Sequence, residues 1–229
     1  MNRRMITALA LAAAVLAPAA PASAAPAPTA VRAAPAAEVT TLADAVGLVE
    51  VTEEDRTGYT RSSFKHWNSG ENAADGCNTR AEVLIAEAVI APTVGAGCKL
   101  TGGTWISYYD NQEVTSAGSL DIDHMVPLAE AWDSGASGWT AARREAYAND
   151  QGAHVSLVAV TARSNRQKSD QDPADWMPPS PDAECRYVGE WVSTKLRWQL
   201  TADDRELEAL KVYADGPCET TFVRYTPAV

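Results

Sequence analysis

The chain has 229 residues, of which 46% are hydrophobic, with 19 Lys+Arg against 30 Asp+Glu and a formal net charge of -11. That length fits one ordinary domain with appendages, and that apolar content excludes global disorder. The acidic balance excludes bulk-charge coating of nucleic acid or anionic membrane, and only three histidines leave little for a His-rich metal cage.

The first residues read as an address. Arg3 and Arg4 form a basic start, Met5 to Leu16 is an apolar run, and Ala22-Ser23-Ala24 is a small-residue cleavage site, the pattern of a secretory signal peptide over residues 1–24. Pro18 and Pro21 argue against a membrane anchor, because a spanning helix needs about 20 apolar residues. Loss of Arg3 and Arg4 with the leader takes the net charge from -11 to -13. Residues 25–37, rich in Ala and Pro, read as a linker. The folded domain is expected over 38–229, secreted and extracellular, with no membrane association and no obligate protein partner.

Export makes Cys77, Cys98, Cys185 and Cys218 candidates for two disulfides. Of the three connectivities, Cys77–Cys98 and Cys185–Cys218 are favoured because they close short loops of 21 and 33 residues. Each is worth about 3–4 kcal/mol by the loop-entropy estimate. No Cys-x-x-Cys pair supports zinc.

Along the chain, Thr41 caps a short helix running to about Glu50. Thr79-x-x-Glu82 reads as a capping box before a helix with a buried face. Leu100 to Tyr109 is a strand entered from the Gly102-Gly103 turn, and Ser119 to Asp123 is another. Short helices are expected over Pro127–Trp132 and Thr140–Asn149. Val155–Val160 is a buried strand, Asp172–Trp176 a helical turn stopped by Pro178-Pro179. Helices follow over Glu184–Trp198 and Ala202–Ala214, the second capped by Thr201. The fold class is α+β, a small antiparallel core surrounded by helices.

Two segments carry chemistry: Asp121-Ile122-Asp123-His124-Met125-Val126-Pro127 and Ser164-Asn165-Arg166-Gln167-Lys168-Ser169-Asp170. Alternation along a strand sends Asp123 and His124 to opposite faces, so for both to serve one site the strand must end or bulge there, and Pro127 fits an ending. The second segment gathers the amide of Asn165 with Arg163, Arg166 and Lys168. Carboxylate and amide oxygens suit a hard cation such as Mg²⁺, with Mn²⁺ or Ca²⁺ as alternatives. Imidazole, with an ordinary pKa of about 6.5, can take a proton from water, and the cations can hold phosphate oxygens. A glycoside hydrolase built on Asp121 and Asp123 would leave the Asn165–Lys168 cluster unexplained.

The two segments together resemble the HNH, or ββα-metal, nuclease family. The longer frame is similar to secreted bacterial HNH endonuclease family proteins related to the C-terminal domain of GmrSD restriction enzymes. The matching pieces are Gly76-Cys77-Asn78-Thr79-Arg80, Gly103-Thr104-Trp105, His124 to Trp132, and Asn165 to Trp176. The resemblance implies a ββα-metal core and a metal-dependent endonuclease of low sequence specificity, with DNA as substrate and RNA as a second possibility. It implies His124 as general base, Asp123 and Asn165 as metal ligands, and Arg166 and Lys168 near substrate phosphate, with Arg163 beside them; Asp121 would sit in the outer shell. Ser156 or His154 stands where many relatives carry the loop-pinning Asn. The alternative is a secreted, non-catalytic binding module on the same scaffold. Either way a small positive cleft is expected on a negative body, with Arg143 and Arg144 joining Arg163, Arg166 and Lys168. His66 and the tryptophans read as packing residues, and Asp203, Asp204, Glu206 and Glu208 as a solvated helix face.

Overall fold

A computed structural model describes residues 35–229. The leader over 1–24 and the linker as far as Ala34 lie outside the described residues. In chain order the elements are β1 (Glu38–Thr41), α1 (Leu42–Leu48), α2 (Thr79–Ala86), β2 (Thr93–Gly95), β3 (Lys99–Thr101), β4 (Trp105–Ser107), β5 (Gln112–Val114), β6 (Leu120–His124), α3 (Leu128–Asp133), α4 (Ala141–Ala148), β7 (Leu157–Thr161), α5 (Ala162–Lys168), α6 (Glu184–Trp198), α7 (Asp204–Ala214) and β8 (Phe222–Tyr225). The strands form four two-stranded antiparallel ribbons: β1 with β8, β2 with β3, β4 with β5, and β6 with β7. The architecture is α+β, as expected.

Most helices start where a short polar side chain can accept an orphan N–H. Thr41 accepts from the Asp44 N–H, Thr140 from Arg143, Thr161 from Ser164 and Asp203 from Glu206. Two caps differ from the sequence reading. Helix α2 is capped by Asn78, whose side chain accepts from the Ala81 N–H. Glu82 instead accepts from the Glu71 and Asn72 N–H groups and the Gln151 amide, tying down a preceding loop. Helix α7 is capped by Asp203 rather than Thr201: the Asp203 carboxylate accepts from the Glu206 N–H at 2.7 Å, while the Thr201 backbone is tied to Ser134 and Lys195. The expected turn of helix at Asp172–Trp176 is present: the Asp175 and Trp176 N–H groups donate to the Asp172 carbonyl, and the Asp172 carboxylate caps the turn by accepting from the Ala174 and Asp175 N–H groups.

Gly103, at φ +86, enters β4 as expected. A Cβ there would stand 2.6 Å from the Trp105 ring, so both the dihedral and the close approach require glycine. The Trp105 Nε1 donates to the Leu84 carbonyl at 2.6 Å, fastening β4 to α2.

The main core gathers Leu42, Val46, Phe64, Tyr109, Met125, Tyr147, Tyr187, Trp191 and Leu210; a smaller one beneath β6 and β7 holds Leu84, Trp105, Leu120, Ile122 and Leu157. Lys195, fully buried, is compensated by Glu130 at 2.9 Å and Glu206 at 2.5 Å. Glu206 is therefore an interior residue, which corrects the solvated face expected for it; Asp204 and Glu208 are exposed. Both favoured disulfides are present, Cys77–Cys98 and Cys185–Cys218. No helix among the described residues is long and apolar enough to cross a membrane.

Candidate active site

Strands β6 and β7 pair from Leu120↔Thr161 to His124↔Leu157 without a bulge. Helix α5 follows β7 directly, capped by Thr161, and packs back across the ribbon, giving a β–β–α unit. Residues Asp121 and Asp123 share one face of β6 by the two-residue period. Residues Asn165 and Lys168, three apart, share one face of α5. The two faces meet in register. The Asn165 amide N donates to Asp121 Oδ2 at 3.3 Å, and Lys168 Nζ donates to Asp123 Oδ2 at 2.6 Å.

Strand alternation is obeyed: Asp123 and His124 leave opposite faces. Both reach one place because β6 ends at His124, and a cleft of about 460 Å³ lies across that end. Its walls include Asp123, His124, Asn165 and Arg166, and also Tyr59, Arg61 and Asp170.

His124 is held on every side. Its Nε2 lies 2.9 Å from the Ala148 carbonyl oxygen. A carbonyl only accepts, so Nε2 carries the proton and Nδ1 presents a lone pair. The ring stacks on Trp67 (5.3 Å between centroids, 25° between planes) and on Tyr147 (6.5 Å, 22°). The His66 ring meets it edge-on at 6.2 Å. Burial drives the imidazole pKa down to about 3, with the charges of Arg61 and Lys168 also acting in that direction; His124 is thus neutral at physiological pH.

Asp123 is 4% exposed. Burial raises its carboxyl pKa against the opposing influence of Lys168 and Tyr109. The Lys168 ammonium and the Tyr109 hydroxyl (2.6 Å) both donate to Oδ2, which leaves Oδ1 with room for another partner. Asn165 likewise commits its amide N to Asp121, leaving its amide oxygen. One carboxylate oxygen and one amide oxygen on the same cleft fit a hard divalent cation that takes few protein ligands.

The cations part company. Arg166 is exposed and lines the cleft, 3.5 Å from Asp121. Arg163 is exposed but is not among the cleft-lining residues. Lys168 is fully buried, its ammonium shared among Asp123 Oδ2, the His124 carbonyl at 3.0 Å and the Met125 carbonyl at 2.8 Å. This corrects the phosphate contact expected of Lys168: its three donors are spent inside, clamping the turn after β6. Arg143 and Arg144 are also structural. Arg143 lies over the rings of Trp139 and Trp198, and Arg144 donates to the carbonyls of Ser63, Ala136 and Trp139.

The long connection between β6 and β7 is pinned by two residues that the sequence reading passed over. Asn149 donates to the Lys65 and Glu145 carbonyls and accepts from the Asn68 N–H and Thr79 hydroxyl. It thereby fixes the segment that carries His66 and Trp67, the latter at φ +61, a conformation rare for a bulky residue. Asp150 accepts from the Ser156 hydroxyl, the Trp198 indole and the Nε and Nη2 of Arg197. Of the two residues expected near the missing Asn, Ser156 is buried in this network and its carbonyl accepts from the Met125 N–H, whereas His154 is exposed. The sequence signal that could have found Asn149 and Asp150 was their position at the end of α4, where short polar residues terminate helices.

Among the described residues, two further groups of carboxylates approach one another, Glu54 with Asp203 and Glu206, and Glu54 with Glu130 and Asp133. They lie around Lys195, not on the cleft of His124.

The profile of the family described as GmrSD restriction endonucleases, C-terminal domain, matches residues 98–211. That span holds β6, β7 and α5 complete. The chain is also 38% identical, over 164 residues, to an uncharacterized secreted protein of Arthroderma benhamiae, covering 72% of this chain and 78% of the relative. The relative is fungal, so the likeness is not confined to bacterial proteins as the resemblance implied. Its secreted nature agrees with the two disulfides and with the export expected here. No solved structure matches. The chain belongs to the family of the GmrSD restriction endonuclease C-terminal domain.

Proposed function

We propose that this protein is a secreted, metal-dependent endonuclease that hydrolyses phosphodiester bonds of DNA, and of RNA as a second substrate, with low sequence specificity. The observation that carries this reading is one cleft lined by His124, whose Nε2 is committed to Ala148, together with Asp123 and Asn165, each held by one polar atom and left with one oxygen uncommitted. Family membership supports the nuclease class.

In this reading Asp123 Oδ1 and the Asn165 amide oxygen hold a divalent cation, Mg²⁺ first, with Mn²⁺ or Ca²⁺ as alternatives. When bound, such an ion supplies charge neutralisation for a phosphodiester and its leaving oxygen. The protein's own residues do the rest. Lys168 and Tyr109 fix the Asp123 carboxylate by its far oxygen. Asp121 fixes the Asn165 amide by its nitrogen, so the amide oxygen faces the cleft. His124 Nδ1 accepts the proton of an attacking water while Nε2 stays bonded to Ala148. A bound phosphodiester brings negative charge next to the ring, which counteracts burial and strengthens it as a base.

The test is conversion of supercoiled plasmid by the purified protein in Mg²⁺, with and without excess EDTA. Nicking that EDTA abolishes is expected. Binding of DNA with no cleavage in any of the three metals would sink the enzyme reading and leave a binding module.

A further inference from the structure

Lys168, which the sequence places near phosphate, is buried, so another group must meet the anion at the cleft mouth. The cleft has two exposed cations, Arg61 and Arg166. Arg166 is engaged with Asp121 at 3.5 Å. Arg61 opens a short 3-10 turn, Arg61–Ser63. Among the described residues it makes no ion pair and no side-chain hydrogen bond, whereas the neighbouring cations of the same segment do: Arg56 binds Asp133 and Asp170, and Lys65 binds Glu145. The turn is not a loose arm. Phe64, fully buried, anchors it against Tyr59, Trp132 and Tyr147, and Asn149 holds the Lys65 carbonyl. An unpaired guanidinium on an anchored turn, lining the same cleft as Asn165, is placed to bind rather than to brace.

We propose that Arg61 is a substrate-binding residue that takes a non-bridging phosphate oxygen of the nucleic-acid strand. The segment carrying it lies outside the family-matched span of 98–211, so this chain completes its site with a wall that the matched span lacks. The inference rests on the nuclease reading for the identity of the anion. Its chemistry is that of a planar fork of donors, which grips phosphate with two parallel bonds where lysine offers a point charge.

The experiment measures binding of a fluorescein-labelled 20-mer DNA duplex by anisotropy across salt concentrations. It uses the His124→Ala protein in Mg²⁺, alone and combined with Arg61→Gln, Arg61→Lys or Arg224→Gln. Each phosphate contact contributes roughly 0.9 to the slope of log K against log salt. Arg61→Gln is expected to weaken binding about tenfold and to lower the slope by about one contact. Arg61→Lys should restore part of the slope but not the full affinity. Arg224, exposed and away from this cleft, should leave both unchanged. Equal affinity and slope for Arg61→Gln would overturn the proposal, and so would no DNA binding by the parent. Intact binding with the expected Arg61 effect, but no cleavage by wild type, would retain Arg61 as an anion contact and remove the enzyme reading instead.

Discussion

The Nε2 of His124 sits 2.9 Å from the carbonyl oxygen of Ala148, at the last residue of α4. This bond joins the end of β6 to the helix inserted between the two strands, and it decides which imidazole nitrogen is basic. The insertion, which lengthens the gap between the two halves of the motif, thus orients the base as well as filling space. Replacing His124 by Ala should reduce plasmid cleavage by about 10²–10⁴-fold, the usual worth of a general base, while far-ultraviolet circular dichroism keeps the wild-type shape. Cleavage at the wild-type rate would remove His124 from the mechanism.

Lys168 and Asp123 form a buried pair, 0% and 5% exposed in their side chains. Removing one partner of such a pair leaves an uncompensated charge, a loss of about 3–5 kcal/mol. Lys168→Met is therefore expected to lower the urea midpoint sharply, while Arg163→Gln, on the exposed face of the same helix, stays within about 0.5 kcal/mol. Adding Asp123→Asn to Lys168→Met should recover part of the loss, because the two residues are coupled. Equal midpoints for the Lys168 and Arg163 variants would show that the ammonium does not brace the site.

Glu87 gives a pH signature in stability. Its carboxylate accepts from the Ala159 N–H of β7 at 2.8 Å, and burial, with Glu190 nearby, raises its pKa from 4.5 to about 7. A carboxyl raised in the folded state binds protons that the unfolded chain has already released. Its contribution to stability is therefore favourable at low pH and declines as pH rises from about 4.5 to about 7. Glu87→Gln, which keeps an acceptor for Ala159, should flatten the unfolding free energy across that window and stabilise the protein above it. A variant whose profile retains the wild-type slope would place the titration elsewhere.

The Cys185–Cys218 bond links the first turn of α6 to the turn after α7 across 33 residues. Replacing both cysteines by Ser should lower the unfolding free energy by about 3–4 kcal/mol, read from chemical denaturation. The cleft of His124 is built from other elements, so cleavage below the new melting transition should persist. Loss of activity in a still-folded variant would show that this end of the molecule shapes the site.

Local chemistry accounts for what the sequence determined by itself. The pairs Asp123–His124 and Asn165–Lys168 were visible as types and spacings, α6 was legible from Glu184 to Trp198, and short loop closure favoured the two disulfides that form. Tertiary structure alone decided the rest. Tyr109 on Asp123, Ala148 on His124, and Arg61 and Trp67 beside the cleft are contacts between segments far apart in the chain, and no periodicity encodes them. Whether a cation braces or binds depends on the acceptors within reach of its last atoms. For Lys168 there are three, all buried; for Arg61, among the described residues, there are none.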